Sequence, residues 1–591
     1  SSMGMTARRA AAAPLLLIAH VVGMAAAFAR GGSSAIGTAR TPSARLLPVA
    51  LAGNVLRTRA AGAARSAPRL ADAPRAHVAV AGGGVGGLCT ALCLLKKGID
   101  VTVYERTDAF RRFGGPIQFA SNALSTLHAV DPALLDKVME KFTFTGTRAC
   151  GIKDGLRASG FSMAGDSLNY LWDPSAPADW YVRFPLRACA KLWGLPYTGV
   201  IDRPDLQELL LEACTALKPD FIRNGVEVLG YEQPAPGEPG AGVRVRLSSG
   251  ELADHDALVG ADGIWSGVRA QMYGEELKKP VDGGRTRQGC TYSGYTVYAG
   301  EAIMRLPDYY ECGYKVYIGP KRYFVTSDVG GGRVQWYAFF ATPPGMKRAR
   351  SGWGAESELM EGRPAESLID YLKGLHEGWS DEIHHVLSLT PEDAVEQRDL
   401  YDRPPELFRS WTDGRVTLLG DAIHPMMPNL GQGGCQAVED AYVLADELAA
   451  RLCAEEGGER DERVRAALDE YYRKRIGRTA AVQLLSRLAS DLIINLFDTP
   501  WSPHDERGTD WKSYLTFFWK PVLQYLVFPV QFAYLYSFRP SGPLGELPDR
   551  LDDAWRTRHR DEAERAFANA EAGNVAAAPR ASSFVSSNES S

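Results

Sequence analysis

The feature that most constrains this chain is a short apolar strand that runs into a glycine turn and out into a helix. His77-Val78-Ala79-Val80-Ala81 reads as a buried strand, Gly82-Gly83-Gly84-Val85-Gly86-Gly87 as the turn, and Leu88 to Leu95 as the helix. Gly82, Gly84 and Gly87 match the spacing GxGxxG. The first permits a tight turn, the second lets a pyrophosphate approach the backbone, and the third lets helix and strand pack closely. The helix start then offers free N–H groups and positive partial charge to phosphate. A second strand, Val101-Thr102-Val103-Tyr104, ends at Glu105, 18 residues beyond Gly87. A carboxylate there can accept ribose hydroxyls. Together these elements predict an α/β, Rossmann-like dinucleotide-binding domain, and the acid favours FAD or NAD over NADP.

The 591 residues are 45% hydrophobic and 23% charged. These ordinary globular values exclude a wholly disordered, collagen-like or polytopic membrane chain. Net charge is −5, but residues 1–70 hold nine Arg and no Lys, Asp or Glu, so the rest carries −14. An acidic body argues against nucleic acid as a partner. Within residues 1–70, Arg8-Arg9 precede an apolar run from Ala10 to Phe28, with small residues at 25–29 suited to cleavage. An Ala/Arg/Ser-rich stretch without acids follows. A signal-peptide-like region followed by a transit-peptide-like one resembles the two-part leaders of plastids acquired through red algae. The simpler alternative is a secretory leader with a linker. Nine scattered Cys, with no CxxC pair and no His-rich cluster, predict neither a disulfide framework nor a metal site.

Three further segments narrow the cofactor. An apolar strand runs from Arg415 into Gly420-Asp421, a Pro/Gly loop continues to Gly434, and Cys435 to Leu448 reads as a helix with Glu439-Asp440 early in it. Gly260-Ala261-Asp262-Gly263 follows the strand-like Ala257-Leu258-Val259, and Arg203 opens Arg203-Pro204-Asp205-Leu206. In this order the segments resemble the flavin monooxygenases related to para-hydroxybenzoate hydroxylase. That resemblance implies non-covalent FAD. Asp421 would take the ribityl hydroxyls. Pro428, Gly431, Gln432, Gly433 and Gly434 would lie in the loop beside the isoalloxazine. Asp262 would sit in the Asp-Gly motif, and Arg203 would neutralise the pyrophosphate.

Other stretches go beyond the general family. Arg112-Phe113-Gly114-Gly115-Pro116-Ile117-Gln118, Ser121-Asn122-Ala123-Leu124, Tyr292-Ser293-Gly294-Tyr295-Thr296, Tyr323 to Gly330 and Val334 to Phe339 closely resemble the zeaxanthin epoxidase family over residues 76–480. The resemblance adds Arg112 to the cofactor residues. It implies O2 and NADPH as co-substrates, with ferredoxin as a possible carrier. It also implies epoxidation of a hydroxylated carotenoid β-ring through a flavin C4a-hydroperoxide, with no catalytic side chain named. Zeaxanthin and diatoxanthin are the candidate substrates, and an aromatic-ring hydroxylase of the same family is the alternative. Plant members of that family carry a forkhead-associated domain, which does not fit the polar tail after about residue 540.

Residues 291–341 alternate apolar and polar with many aromatics, as antiparallel strands with one buried face do. Tyr295, Trp336 and Tyr337 are the candidate substrate contacts. Between Ser513 and Phe538 the only charge is Lys520. Pro529 interrupts this aromatic run, which suits an interfacial membrane segment, here on the stromal side of a thylakoid, or a helical cap, more than a spanning helix. The expected organisation has a discontinuous FAD domain (75–150, 200–275, 395–455) and an antiparallel-sheet substrate domain (156–199, 276–394). C-terminal helices (456–540) and a polar tail, disordered from about 560, complete it.

Overall fold

The computed structural model describes residues 76–110, 115–155, 180–234, 242–276, 289–319, 322–342, 367–452, 459–495 and 521–572. The leader 1–70, Arg112, residues 156–179 of the aromatic insertion, residues 513–520, Cys453 and the tail beyond 572 lie outside the described residues.

A six-stranded sheet carries the nucleotide half. Its order is Thr412–Asp413, Val416–Leu418, Ala257–Gly260, His77–Ala81, Asp100–Glu105 and Ile222–Asn224. All neighbours are parallel except the first pair. Parallel strands covered on both faces read as unbroken apolar runs, and Val78, Ala79, Val80, Leu258 and Val259 are fully buried. Because the strands run the same way, their carboxyl ends, and hence the turns after Ala81, Glu105, Gly260 and Leu418, share one edge.

The substrate half is a seven-stranded sheet in the order Glu396–Asp402, Thr291–Ile303, Arg333–Ala341, Arg322–Asp328, Cys312–Gly319, Ala149–Asp154 and Trp180–Arg183. Only the Cys312/Ala149 pair is parallel. The sheet takes in strands 149–154 and 396–402, so its boundaries fall a few residues outside those expected.

Alternation gives this sheet two different faces. One carries Trp336, Phe324, Tyr317 and Ala338 and is covered by the helices Leu368–Leu375 and Asp381–Leu389. The other carries Tyr295, Val297, Ile318, Tyr323 and Phe339 and shares a cluster with Met427 of the loop after Asp421.

The C-terminal part departs from expectation. The polar tail forms a helix, Leu547–Glu571, in place of disorder from about 560. Its charged sequence conceals a stripe at four-residue spacing, Trp555, His559, Ala563 and Phe567, all buried. Trp555 packs edge-on against Phe144, and His559 Nε2 lies 3.0 Å from Asp328. Asp328 also pairs with buried Arg148 at 2.8 Å.

Residues 521–538 behave as a cap. Trp193 Nε1 donates to Ala533 O at 3.1 Å, the Thr198 and Tyr536 hydroxyls are 2.7 Å apart, and Phe532 and Leu535 are buried. Tyr525 and Leu526 stay exposed. No described helix is long and apolar enough to cross a membrane.

Candidate functional site

The shared edge of the parallel sheet brings the three motifs together. A Cβ on Gly87 would stand 1.9 Å from Gly82 O, so no side chain fits where the helix crosses the turn. A Cβ on Gly82 would meet Ala261 O at 2.6 Å and Asp262 Cα at 3.0 Å, so the Asp-Gly segment lies directly on the glycine turn. Glu105 braces that turn: Oε2 accepts from Gly83 N at 2.6 Å, and Oε1 accepts from Thr107 N and Oγ1, both at 2.9 Å. The helix Val85–Lys96 has no side-chain cap and no acid in its first turn, and the space beyond Gly84 is open. Free amides at an open, uncapped helix start fit a phosphate group.

Asp421 follows on the same edge. The residue is exposed to solvent, yet the protein packed around its carboxyl raises the pKa, against the opposing charges of His424 and Arg203. Gly433 opens the helix Gly433–Leu452, and a Cβ there would come within 3.9 Å of Asp421 Oδ1. Gly431 needs its glycine twice: its φ is +59°, and a Cβ would strike Gln118 at 2.5 Å. Pro428 opens the same short turn and accepts Gly431 N at 2.9 Å. Gly434 faces Phe119. Asp262 Oδ2 accepts from the amides of Gly267 and Val268, and its Oδ1 is unpaired among the described residues; burial raises its pKa. Arg203 lies between the two halves, since its charge acts on both Asp421 and Tyr337.

Beneath the loop runs a buried ionic network that the sequence reading did not identify. Asp440 Oδ2 accepts from Gly420 N at 3.1 Å and contacts His424 Nε2 at 2.6 Å; Oδ1 accepts Arg475 Nε at 2.6 Å. Burial pushes Asp440 up, but His424 and Arg475 outweigh it and hold the carboxyl at about 2. Glu439 pairs with Arg475 and Arg478 and accepts Asn122 Nδ2 at 2.6 Å. Asn122 also donates to Gln432 Oε1 at 3.2 Å. Gln432 is thus buried within the network, holding the loop from below. Arg478 continues to Leu535 O at 2.8 Å and so ties the C-terminal cap to the loop. The signal for this network was present: Arg475 and Arg478, one helical turn apart, match the adjacent acids Glu439-Asp440.

The loop-facing side of the large sheet forms the opposite wall. Tyr295 lies in its cluster with Met427. Tyr337 packs against that cluster, its hydroxyl 3.5 Å from Pro116 O; burial, with Arg203 opposing, pushes the phenol up to about 12. Trp336 is not part of this wall. It faces the other way, fully buried, with Nε1 donating to Thr390 Oγ1 at 2.8 Å. Adjacent residues of one strand point to opposite faces, so Trp336 and Tyr337 cannot both line the cleft.

The uncapped helix start, the Asp421 cleft and the unpaired Asp262 oxygen fit FAD. A family model described as FAD dependent oxidoreductase matches residues 77–334, and one described as FAD binding domain matches 382–485. The crystal structure of Klebsiella pneumoniae HpxO complexed with FAD and uric acid aligns over 79% of this chain and 98% of its own, with TM-score 0.57 and 23% identity. A salicylate hydroxylase substrate complex aligns over 78% and 98%, with TM-score 0.51 and 20% identity. At these identities the likeness is one of fold. The chain is an FAD-binding α/β flavoprotein of this fold.

Within that class it is similar to chloroplastic zeaxanthin epoxidases. Chloroplastic zeaxanthin epoxidase of Oryza sativa subsp. japonica is 37% identical over 448 residues, 75% of this chain and 58% of the relative. That of Nicotiana plumbaginifolia is 40% identical over 419 residues, 70% and 54%. The chain thus spans little more than half the length of the curated relatives it matches.

Proposed function

We propose that the chain is an FAD-dependent monooxygenase that epoxidises the β-ring double bond of a hydroxylated carotenoid. The reaction takes zeaxanthin to antheraxanthin and violaxanthin, or diatoxanthin to diadinoxanthin. The observation that carries this reading is the wall opposite the Asp421–Gly434 loop. It is aromatic and aliphatic across several strands and shares a cluster with Met427 of that loop, which suits an apolar polyene better than a carboxylated phenol. The zeaxanthin epoxidase relatives support the same substrate class.

When bound and reduced, FAD supplies activated oxygen: one atom of O2 enters the epoxide and the other leaves as water, with NADPH providing two electrons, through ferredoxin where that carrier is present. The chain's residues do the rest. Gly82, Gly84 and Gly87 leave room for the pyrophosphate at the helix start, Glu105 and Asp421 receive sugar and ribityl hydroxyls, and Arg203 offsets phosphate charge. The loop from Pro428 to Gly434 presents backbone amides beside the ring system. The aromatic wall excludes water, which would otherwise divert activated oxygen to peroxide.

The leader and the chloroplastic relatives support a plastid location. Exposed Tyr525 and Leu526 on an otherwise packed cap support peripheral contact with the stromal side of a thylakoid membrane.

The test is reconstitution of residues 71–591 with FAD, thylakoid-type lipid vesicles, NADPH and a ferredoxin system. Zeaxanthin and diatoxanthin are offered separately, and products are read by chromatography with mass detection. The expected result is a gain of one or two oxygens with a blue-shifted spectrum, and co-flotation with the vesicles that Y525S/L526S abolishes. Flavin reduction with peroxide release and unchanged pigment would move the activity to aromatic-ring hydroxylation.

A further inference from the structure

We propose that the Tyr323 phenol receives the ring hydroxyl of the substrate and so makes this site select hydroxylated over unhydroxylated β-rings. The assignment rests on the carotenoid reading above. Tyr323 lies on strand Arg322–Asp328, where alternation sends Tyr323 and Val325 to the loop-facing side and Phe324 and Thr326 to the back. Its ring stacks on Phe339, with centroids 4.1 Å apart and planes 11° from parallel. Both rings belong to the cluster that contains Met427, the residue before Pro428.

The ring is therefore held, yet its hydroxyl is not. Tyr323 is 2% exposed, and its oxygen has no hydrogen-bond partner. Among the described residues it is the one buried tyrosine hydroxyl left unpaired. Other phenols in or beside the same sheet have acceptors: Tyr317 donates to Glu382, Tyr309 to Asp328, and Tyr292 to Thr342 O. A buried unpaired hydroxyl costs stability and is rare in folded chains. Phenylalanine would fill the same stacked position without that cost, so the oxygen points to a ligand.

The chemistry matches one class of ligand. A 3-hydroxy β-ring is hydrocarbon apart from a single alcohol, whose carbon is two bonds from the nearer carbon of the double bond that reacts. In an aromatic wall, one phenol that can both donate to and accept from an alcohol suffices to fix which way the ring is turned. Burial raises the Tyr323 pKa well above the usual phenol range, so it stays protonated at any working pH. A site built around such a hydrogen bond discriminates against a ligand lacking the hydroxyl, because its own polar group is then left unpaired.

The test uses the full chain reconstituted with FAD, comparing wild type and Y323F on zeaxanthin and β-carotene in one competing mixture. Flavin content and Tm are read alongside. Wild type is expected to favour zeaxanthin. Y323F is expected to lose about tenfold of that preference, through lower kcat/KM for zeaxanthin alone, which is the worth of one hydrogen bond. A preference that survives in a more stable Y323F protein would overturn the assignment and leave the epoxidase reading intact. Wild type that oxidises neither pigment would remove the carotenoid reading itself. A second measurement needs no variant: 3-hydroxy-β-ionone should inhibit wild type about tenfold more tightly than β-ionone, and equal inhibition would also overturn the assignment.

Discussion

Below the flavin loop, position is set by charge. Asp440, Glu439, Arg475 and Arg478 form a buried set whose bonds have fixed directions, and they hold Gly420, the cap segment and, through Asn122 and Gln436, Gln432 in place. Across the cleft, position is set by ring contact: Tyr323 on Phe339, Phe324 on Trp336 at 5.5 Å, and His376 edge-on to Trp379 at 5.0 Å. Cofactor atoms must be met at defined points, which directional bonds provide. A polyene needs a surface of the right shape, and packed rings provide one with few polar atoms to satisfy. Each half should therefore fail in its own way.

The largest effect is expected at Arg475. Arg475→Ala leaves Asp440 and Glu439 buried without their shared partner, a loss of about 3–5 kcal/mol. Both urea midpoint and bound flavin should fall together, and a variant that keeps full flavin would break the link between network and loop. Trp336→Phe should cost less, about 1–3 kcal/mol, from lost packing and the lost bond to Thr390. Because Trp336 faces away from the cleft, KM for carotenoid should stay unchanged, and a raised KM would return this residue to the substrate wall.

The smallest effect sharpens the comparison through pH. Burial pushes His376, on the back of the sheet, down to about 3, below the unfolded value near 6.5. On acidification the unfolded chain takes up the proton first. Stability therefore falls below about pH 6.5, by up to about 1.4 kcal/mol per pH unit. Asp440 is depressed to about 2, so its contribution is complete above about pH 4 and is lost only below that. Between pH 5 and 7 the ring-packed half should thus respond to pH while the Asp440 carboxyl does not. His255, lowered to about 4 by burial and by His77, adds a slope of the same sign. Comparing Tm against pH for wild type and H376Q isolates the His376 share, and parallel curves would refute it.

What could be read from the sequence was what local backbone geometry encodes. Gly82, Gly84, Gly87 and Glu105 lie within one strand–helix–strand unit, so spacing located them, whereas Asp421 and Gly431, just after a strand end, were named through the family resemblance. Trp336 and Tyr337 show the limit. Alternation says that neighbours face opposite ways, but which of the two faces the loop depends on the helices Leu368–Leu375 and Asp381–Leu389, which alternation within the strand does not reveal. The Leu547–Glu571 helix was missed because net polarity masked four buried residues at even spacing. Arg475 and Arg478 were missed because their one-turn spacing marks a pair of cations without saying which acids, on which helix, they meet.

The proposed flavin site draws on residues near 82, 105, 203, 262 and 421–434, with Arg475 and Arg478 behind the loop. A chain leaving the ribosome presents its phosphate turn long before the ribityl acid exists, and the supporting arginines emerge later still. No partial chain ending before about residue 480 contains a finished cofactor site, so flavin capture comes late in synthesis. Bound FAD is therefore a whole-molecule folding signal: protein that holds it has brought its most distant segments together.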